Sequence, residues 1–329
     1  MLIKSHEVPE ALLNLLAIQR RLASDHPQYA GVKTDLAMYQ SGYRGELALD
    51  YHLNFLDEKE SFILHGVRLQ NRNFFQIDTL VLTNKFFLIV EVKNLTGVIR
   101  FDHGFGQMTQ ERYGENRPFK DPIAQADNQA FQLQSWLIKQ EIRSIPIETL
   151  VVFVSSNVHL TRVGESCVDD RIIHAGKLNE VFKTLHQKYQ RPLLELHEIR
   201  KLAIRMKKQN QPLRLDMMKK YKLTASDIVP GVICESCGGL PMIRKNGIWE
   251  CRGCGHQNKN SHLETFKDFQ LLFKDTISNR EARWLLQLDD QQVMSKILGR
   301  SGLQHNGGIK GRRYFLNYDY QKDYFYLLN

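Results

Sequence analysis

Phe75-Gln76-Ile77-Asp78-Thr79-Leu80-Val81-Leu82-Thr83-Asn84-Lys85-Phe86-Phe87-Leu88-Ile89-Val90-Glu91-Val92-Lys93-Asn94 decides how the rest of the chain is read. Two apolar runs rich in β-branched and aromatic residues flank a polar break at Asn84-Lys85, the pattern of a strand pair. Into this apolar context the chain sets Asp78, Glu91 and Lys93. Strand side chains alternate faces, so Gln76, Asp78, Leu80 and Leu82 are expected on one face, and Phe87, Ile89, Glu91 and Lys93 on one face of the next strand. If Asn84-Lys85 is a two-residue loop, Thr83 pairs with Phe86, which sets Asp78 opposite Glu91 and Gln76 opposite Lys93. Directly opposed Cβ atoms are roughly 4.5–5.5 Å apart. Two carboxylates that close repel unless something positive lies between them, and a divalent cation meets that need. The register is the weak point, because Asn-Gly rather than Asn-Lys is the strong turn signal, and a one-residue slip turns one carboxylate to the other face.

A third acid comes from upstream. Glu46, Leu49, Leu53 and Leu56 recur at helical spacing, so Glu46 sits on a buried stripe where a carboxylate is costly without a partner. Gly45-Glu46 on a helix, Ile77-Asp78 in a strand and Glu91-Val92-Lys93 at the end of the next resemble the NERD (nuclease-related) domain of the PD-(D/E)xK nuclease superfamily, over roughly residues 40 to 160. The resemblance implies a restriction-endonuclease-like fold in which Asp78 and Glu91 ligate Mg2+ or Mn2+, with the Val92 carbonyl as a further ligand. It implies that Glu46 binds or orients through water, and that Lys93 positions the attacking water and offsets charge on the phosphate. Hard cations with oxygen ligands and retained waters suit such carboxylates. The bland alternative is a buried Lys93–Glu91 salt bridge, which accounts for one acid but not for three.

Downstream, Asp121-Pro122 reads as the N-cap and first position of a helix with Ala124, Phe131, Leu133, Trp136 and Leu137 on its apolar side. Gln125 and Gln129 lie one turn apart near its start. Asp121, Pro122 and Gln125 match an Asn/Asp-Pro-x-x-Gln segment of the family, which implies that Gln125 faces the metal or the scissile phosphate; a solvent-facing glutamine is the alternative. Strands are expected at Phe62 to Leu69, Gly97 to Phe101 and Gln107 to Thr109, with Gly104-Phe105-Gly106 as a hairpin turn rather than a phosphate loop. Thr149 to Val154 is a continuous apolar run, as in a strand buried on both faces. A short helix is expected over Pro9 to Ala23, then an irregular link around Pro27 and Gly31. The scattered histidines, His65 and His103 among them, show no paired ligand spacing, and Cys167 reads as a packing residue.

The 329 residues suffice for two or three domains, and 42% hydrophobic with 10% aromatic residues indicates a globular chain. A formal net charge of +9 favours a polyanionic partner. No apolar run reaches the roughly 18 residues of a membrane span, and the N-terminus does not read as a signal peptide, so a cytoplasmic setting is expected. From 201 to 230 eight basic residues face two acidic ones, giving either a nucleic-acid-facing linker or a solvated helix surface.

Cys234-Glu235-Ser236-Cys237 and Cys251-Arg252-Gly253-Cys254 flank 13 residues, and each pair is followed by a glycine. Lys245-Asn246-Gly247 between them marks a hairpin. Four thiolates at this spacing make a structural zinc ribbon over 231–260, with redox-active dithiols as the alternative. His256 is close by but not needed. Beyond it, Ser278 to Glu281 forms a capping box, and Asp289 or Asp290 caps a helix with Val293, Ile297 and Leu298 apolar. Helix, turn, helix and a glycine-rich basic hairpin around Gly307 to Phe315 resemble a winged helix-turn-helix. Gln291, Gln292, Ser295, Lys296 and Arg300 are candidate groove-facing residues, and Lys310, Arg312 and Arg313 candidate phosphate contacts. Three-helix units also serve in dimerisation, so a homodimer is an open possibility.

The sequence thus predicts a mixed α/β nuclease-like domain (1–200), a basic linker (201–230), a zinc ribbon (231–260) and a helical DNA-binding tail (261–329). The implied activity is Mg2+- or Mn2+-dependent phosphodiester hydrolysis, as an endonuclease, with DNA favoured over RNA. Its alternatives are a non-catalytic DNA-binding or regulatory protein and an RNA-processing nuclease.

Overall fold

In the computed structural model Asn84-Lys85 is a two-residue turn, and a side chain fixes its register. Thr83 N–H donates to the Phe86 carbonyl at 3.1 Å. The buried Thr83 hydroxyl accepts from the N–H groups of Lys85 and Phe86 at 3.2 and 3.0 Å and donates to the Phe86 carbonyl at 2.6 Å. A threonine inside the hairpin end thereby supplies what Asn-Gly supplies through a left-handed backbone. The ladder runs Leu82↔Phe87, Val81↔Leu88, Leu80↔Ile89 and Thr79↔Val90, the register that the two-residue loop requires.

The structure describes residues 1–56, 61–102, 105–142, 145–162, 169–308 and 311–328. His103, Gly104, Cys167 and Lys310 lie outside the described residues. In chain order the elements begin β1 (Leu2–Lys4), α1 (Glu10–Gln19), α2 (Tyr29–Leu53), β2 (Ser61–Gln70), β3 (Phe74–Thr83) and β4 (Phe87–Lys93). They continue β5 (Gly97–Asp102), β6 (Gln107–Arg112), β7 (Glu115–Lys120), α3 (Pro122–Lys139), β8 (Ile147–Phe153), β9 (Val158–Arg162) and β10 (Ile172–His174). Then come α4 (Leu178–Lys188), α5 (Leu196–Gln209), α6 (Met217–Lys220), β11 (Ile243–Lys245), β12 (Ile248–Glu250) and β13 (Gln257–Asn258). The chain closes with α7 (His262–Leu272), β14 (Thr276–Ser278), α8 (Asn279–Leu286), α9 (Gln291–Arg300), β15 (His305–Asn306) and β16 (Arg313–Phe315). Two units result: residues 1–7 with 40–213, and residues 8–39 with 214–329. The division falls within α2, which is helical from Tyr29, so the irregular link expected around Gly31 ends before that glycine.

The first unit is built on a mixed sheet in the order β1-β2-β3-β4-β8-β10, with β2, β3 and β4 antiparallel and β4, β8 and β10 parallel. Helices cover both faces. Leu133, Trp136 and Leu137 of α3 and Ile199, Leu202, Ala203 and Met206 of α5 join one cluster. Leu49 and Leu53 of α2 and Leu178, Phe182 and Leu185 of α4 join the other. Double coverage explains the unbroken apolar run Leu150–Phe153 within β8. Phe131, expected on the apolar side of α3, is 69% exposed. A second sheet, β7-β6-β5-β9, lies in the same unit; its edge strand β7 carries Pro118, which hides it from a strand pattern.

Strict alternation fails in β3. Phe75 and Ile77 share a cluster with Leu80 and Leu82, so the side-chain period breaks across Asp78-Thr79. The neighbouring β2 breaks at the matching place: Phe62 and Leu64 cluster with Val67 and Leu69, across His65-Gly66. Gly66, at φ +56°, takes the left-handed conformation this requires. Asp78 therefore does not share a face with Leu80 and Leu82, contrary to the alternation rule.

The expected boundary at 200 is not where the chain divides. Lys201, Arg205, Lys207 and Lys208 line the exposed side of α5, whose other side is core, so this basic stretch is an amphipathic helix of the first unit. In the second unit the ribbon and the tail are not separate bodies. Trp249, Cys234 and Cys251 share one cluster with Phe266 and Phe269 of α7, Leu285 of α8 and Met294 of α9. Strand order there is β11-β12-β13 for the ribbon and β14-β16-β15 for the tail. Met294 rather than Val293 faces this core. Among the described residues no helix is long and apolar enough to cross a membrane.

Candidate functional site

Asp78 sits where β3 and β4 part. The ladder between them ends at Thr79↔Val90, and the Asp78 carboxylate then accepts the Val92 N–H at 3.0 Å. Glu91, the next residue along, is buried, and both of its oxygens are engaged. Lys93 Nζ donates to Oε1 at 2.6 Å, and Gln129 Nε2 on α3 donates to Oε2 at 2.7 Å. Lys93 also donates to Gln125 Oε1 at 3.2 Å. Asp121 starts this helix as expected, accepting the Ile123 N–H at 2.8 Å with Pro122 in the first turn.

Glu46 arrives from α2, 25% exposed, and contributes to the field at Asp78. Burial, then the charges of Glu91 and Glu46, push Asp78 well above the usual carboxylate range, against the opposing pull of the Val92 amide and Lys93. Two further acids and one lysine thus act on Asp78, more negative charge than that lysine offsets. Asn94 fixes the approach of α2: its side-chain amide donates to the Ser41 carbonyl at 2.8 Å, and Gly45 packs against it.

Asp78, Glu91, Lys93, Glu46 and Gln125 are therefore brought together. Gln76, expected beside Lys93, is exposed and pairs with Arg68 across β2. Gln129, to which the sequence assigns no role, joins them through Glu91. It lies one turn beyond Gln125, and a glutamine on an otherwise buried helix face was the available signal.

In the second unit the four cysteine sulfurs lie within 4.8 Å of one another. Cys234 and Cys254 are 3.7 Å apart and Cys237 and Cys251 are 3.5 Å apart. Tetrahedral Zn2+ with bonds of about 2.3 Å sets its sulfurs about 3.8 Å apart, so the donor set fits. The amides of Cys254 and Gly253 point at the Cys251 sulfur and favour its thiolate, the form a metal requires. At Gly239 a Cβ would stand 3.2 Å from Cys237 Sγ and 3.3 Å from Cys251 Sγ, so a side chain there would press on both sulfurs. Asn246 and Gly247, at φ +50° and +86°, make the expected hairpin turn. His256 is engaged by Glu235 at 2.7 Å instead of adding to the sulfur cluster.

Gln291, Gln292, Ser295, Lys296 and Arg300 are all exposed on α9. Ser295 is also used internally, accepting from Asn279 Nδ2 at 3.0 Å and donating to the Gln291 carbonyl at 2.9 Å. Arg313 pairs with Glu281 at 3.3 Å, and Arg312 is half-buried.

Residues 41–154, about a third of the chain, match the family described as nuclease-related domain (NERD). No curated protein and no solved structure matches the chain. The matched span includes Glu46, Asp78, Glu91, Lys93, Gln125 and Gln129, and a nuclease-related domain fits a divalent metal and a nucleic-acid partner.

Proposed function

We propose that this protein is a Mg2+- or Mn2+-dependent endonuclease that hydrolyses phosphodiester bonds in DNA. The observation that carries the reading is the gathering of Glu91, Glu46 and Lys93 around Asp78, inside the span that matches the nuclease-related family. Asp78 and Glu91 would hold the ion, with the Val92 carbonyl as a further donor and Glu46 acting through water. When bound, the ion supplies a Lewis acid for the phosphate and charge neutralisation at the leaving oxygen.

The chain's own residues do the positioning. The Val92 N–H orients one Asp78 oxygen, and Gln129 orients one Glu91 oxygen. Lys93 spends two N–H bonds on Glu91 and Gln125, leaving a third for the attacking water or a phosphate oxygen. Gln125, exposed at the start of α3, is placed to touch the phosphate once substrate is present. In the second unit the four cysteines hold Zn2+ as a structural ion. The exposed residues of α9, with Arg312 and Arg313, supply DNA contacts, most of them to phosphate.

The test is incubation of the purified protein with linear, circular and branched DNA, and with RNA, with and without Mn2+, beside Asp78→Ala. Metal-dependent cutting of circular DNA, lost in the variant, is the expected result. Cleavage by Asp78→Ala at the wild-type rate defeats the proposal, and preferential cutting of RNA redirects it.

A further inference from the structure

The second sheet of the first unit is set between the elements that carry the candidate site. β4, with Glu91 and Lys93, leads into β5 through residues 94–96, and β7 leads through Asp121 into α3, with Gln125 and Gln129. One face of the sheet packs on that helix. Ile99, Phe101 and Met108 share a cluster with Ile123 and Ala126, and Phe119 packs against it. Met108 pairs with Phe119, so Gln110 with Arg117, and Arg112 with Glu115, continue along the same face. Toward the turn between β6 and β7 this face runs out beyond the core: Arg112, Glu115 and Arg117 are exposed.

The turn holds a residue that its backbone does not favour. Arg112 pairs with Glu115 across a two-residue loop, Tyr113-Gly114, at φ +52° and +80°. Such a loop favours asparagine, aspartate or glycine at its first position, and a bulky aromatic ring there is strained. Burial does not offset the strain, since Tyr113 is 89% exposed. The Arg112 guanidinium stands 4.8 Å from the Tyr113 ring centre and donates to its hydroxyl at 3.3 Å, so one ring face is covered. Arg117 stands over Phe119 in the same way, 5.4 Å from its ring centre. Residues 112–120 hold three basic side chains against one acid, and the preceding Glu111 is taken up by Arg100. Pro118 removes a donor from the edge strand, which opposes pairing of another chain along β7.

We infer that the β6–β7 hairpin is a substrate-holding arm whose Tyr113 stacks an unpaired base on its open ring face, so that the substrate is DNA with a single-stranded part. The choice of DNA as occupant rests on the nuclease reading. Any base can stack on an aromatic ring, but a paired base must first leave its own stack, so an unpaired strand is favoured. Arg112 and Arg117 add phosphate contacts that hold the strand without reading sequence. The arm is within reach of the site. Gly97 is four residues beyond Lys93, and a Cβ added there would stand 3.4 Å from Arg112 Cβ. At up to about 3.6 Å per residue, the Tyr113 backbone is within about 25 Å of Lys93, or about seven nucleotides at a 3.4 Å rise.

The experiment is fluorescence anisotropy of the full-length, zinc-loaded protein with blunt duplex DNA and with a fork bearing two unpaired arms, without added Mg2+ or Mn2+ so that nothing is cut. Glycine suits both positions of the turn, so Tyr113→Gly removes the ring and keeps the hairpin. The expected result is fork affinity weakened about five- to 150-fold in Tyr113→Gly and kept in Tyr113→Phe, with blunt-duplex affinity unchanged in both. A 2-aminopurine base in one arm should lose emission on binding the wild type and keep it with Tyr113→Gly. Wild-type affinity of Tyr113→Gly for the fork, or an equal loss on the blunt duplex, overturns the inference. Loss of cleavage in Asp78→Ala is a separate readout and bears only on the nuclease proposal.

Discussion

Gly45 and Asn94 are so closely packed that a Cβ built at position 45 would stand 2.5 Å from that of Asn94. The contact seats α2 against the end of β4, one residue from both Glu46 and Lys93. By helix propensity alone Gly45→Ala should stabilise α2 by up to about 1 kcal/mol. The packing reverses that sign, since overfilling a tight contact costs about 1–3 kcal/mol. Gly45→Ala is therefore expected to lower stability in urea and to reduce cleavage by displacing Glu46. A variant that is more stable than wild type and cuts as fast would contradict this.

Lys93→Ala should lower the cleavage rate by about 10²–10³-fold while DNA affinity changes little, since its ammonium acts on the reacting water and phosphate. Single-turnover rates beside a binding isotherm on uncleaved DNA separate these effects. Equal losses in binding and rate would instead make Lys93 a docking residue.

Gln129→Met tests whether the orientation of Glu91 matters. The change keeps volume but removes the donor at 2.7 Å from a buried carboxylate oxygen, a loss of about 1–3 kcal/mol when the acceptor is left unpaired. The expected outcome is weaker Mn2+ binding measured by calorimetry, with the fold retained by circular dichroism. Unchanged Mn2+ affinity would reduce Gln129 to a packing residue.

The hairpin, the helix caps and the cysteine ribbon were legible because each is a local pattern whose physics completes within a few residues. Asp121-Pro122 caps α3, Ser278 with Glu281 closes its box, and Asn246-Gly247 turns the ribbon hairpin. What the sequence hid are features decided across the sheet. The break in alternation at Asp78-Thr79 depends on a matching break at His65-Gly66 in another strand. His6 and His65 lie far apart in sequence and become neighbours only through the parallel pairing of β1 with β2. Tail and ribbon looked separable, since nothing in their spacing reveals that Trp249 is buried among residues of α7 and α8.

That shared core sets what zinc removal does. Trp249 is fully buried and donates from Nε1 to His262 Nδ1 at 3.1 Å. Chelation should therefore loosen the helices of the tail along with the ribbon, instead of melting the ribbon alone. Tryptophan emission should shift to the red together with a loss of helical circular dichroism. A red shift with all helical signal retained would show the two parts to be uncoupled.

His262 gives the second unit an acid-sensitive core. Burial, followed by the charge of Arg244, pushes it down from 6.5 to about 4. Between those values the unfolded chain binds a proton that the folded chain refuses, so stability falls as pH drops from about 6.5 to about 4 and levels off below. The full loss is at most about 3.4 kcal/mol. His262→Gln keeps an acceptor for Trp249 but cannot titrate, so urea unfolding of the zinc-loaded variant should show a shallower decline across that window. Thiolate protonation at the ribbon is common to both proteins, which makes the difference between their slopes the quantity to read. If the two slopes coincide, His262 is not the group that makes this core sensitive to acid.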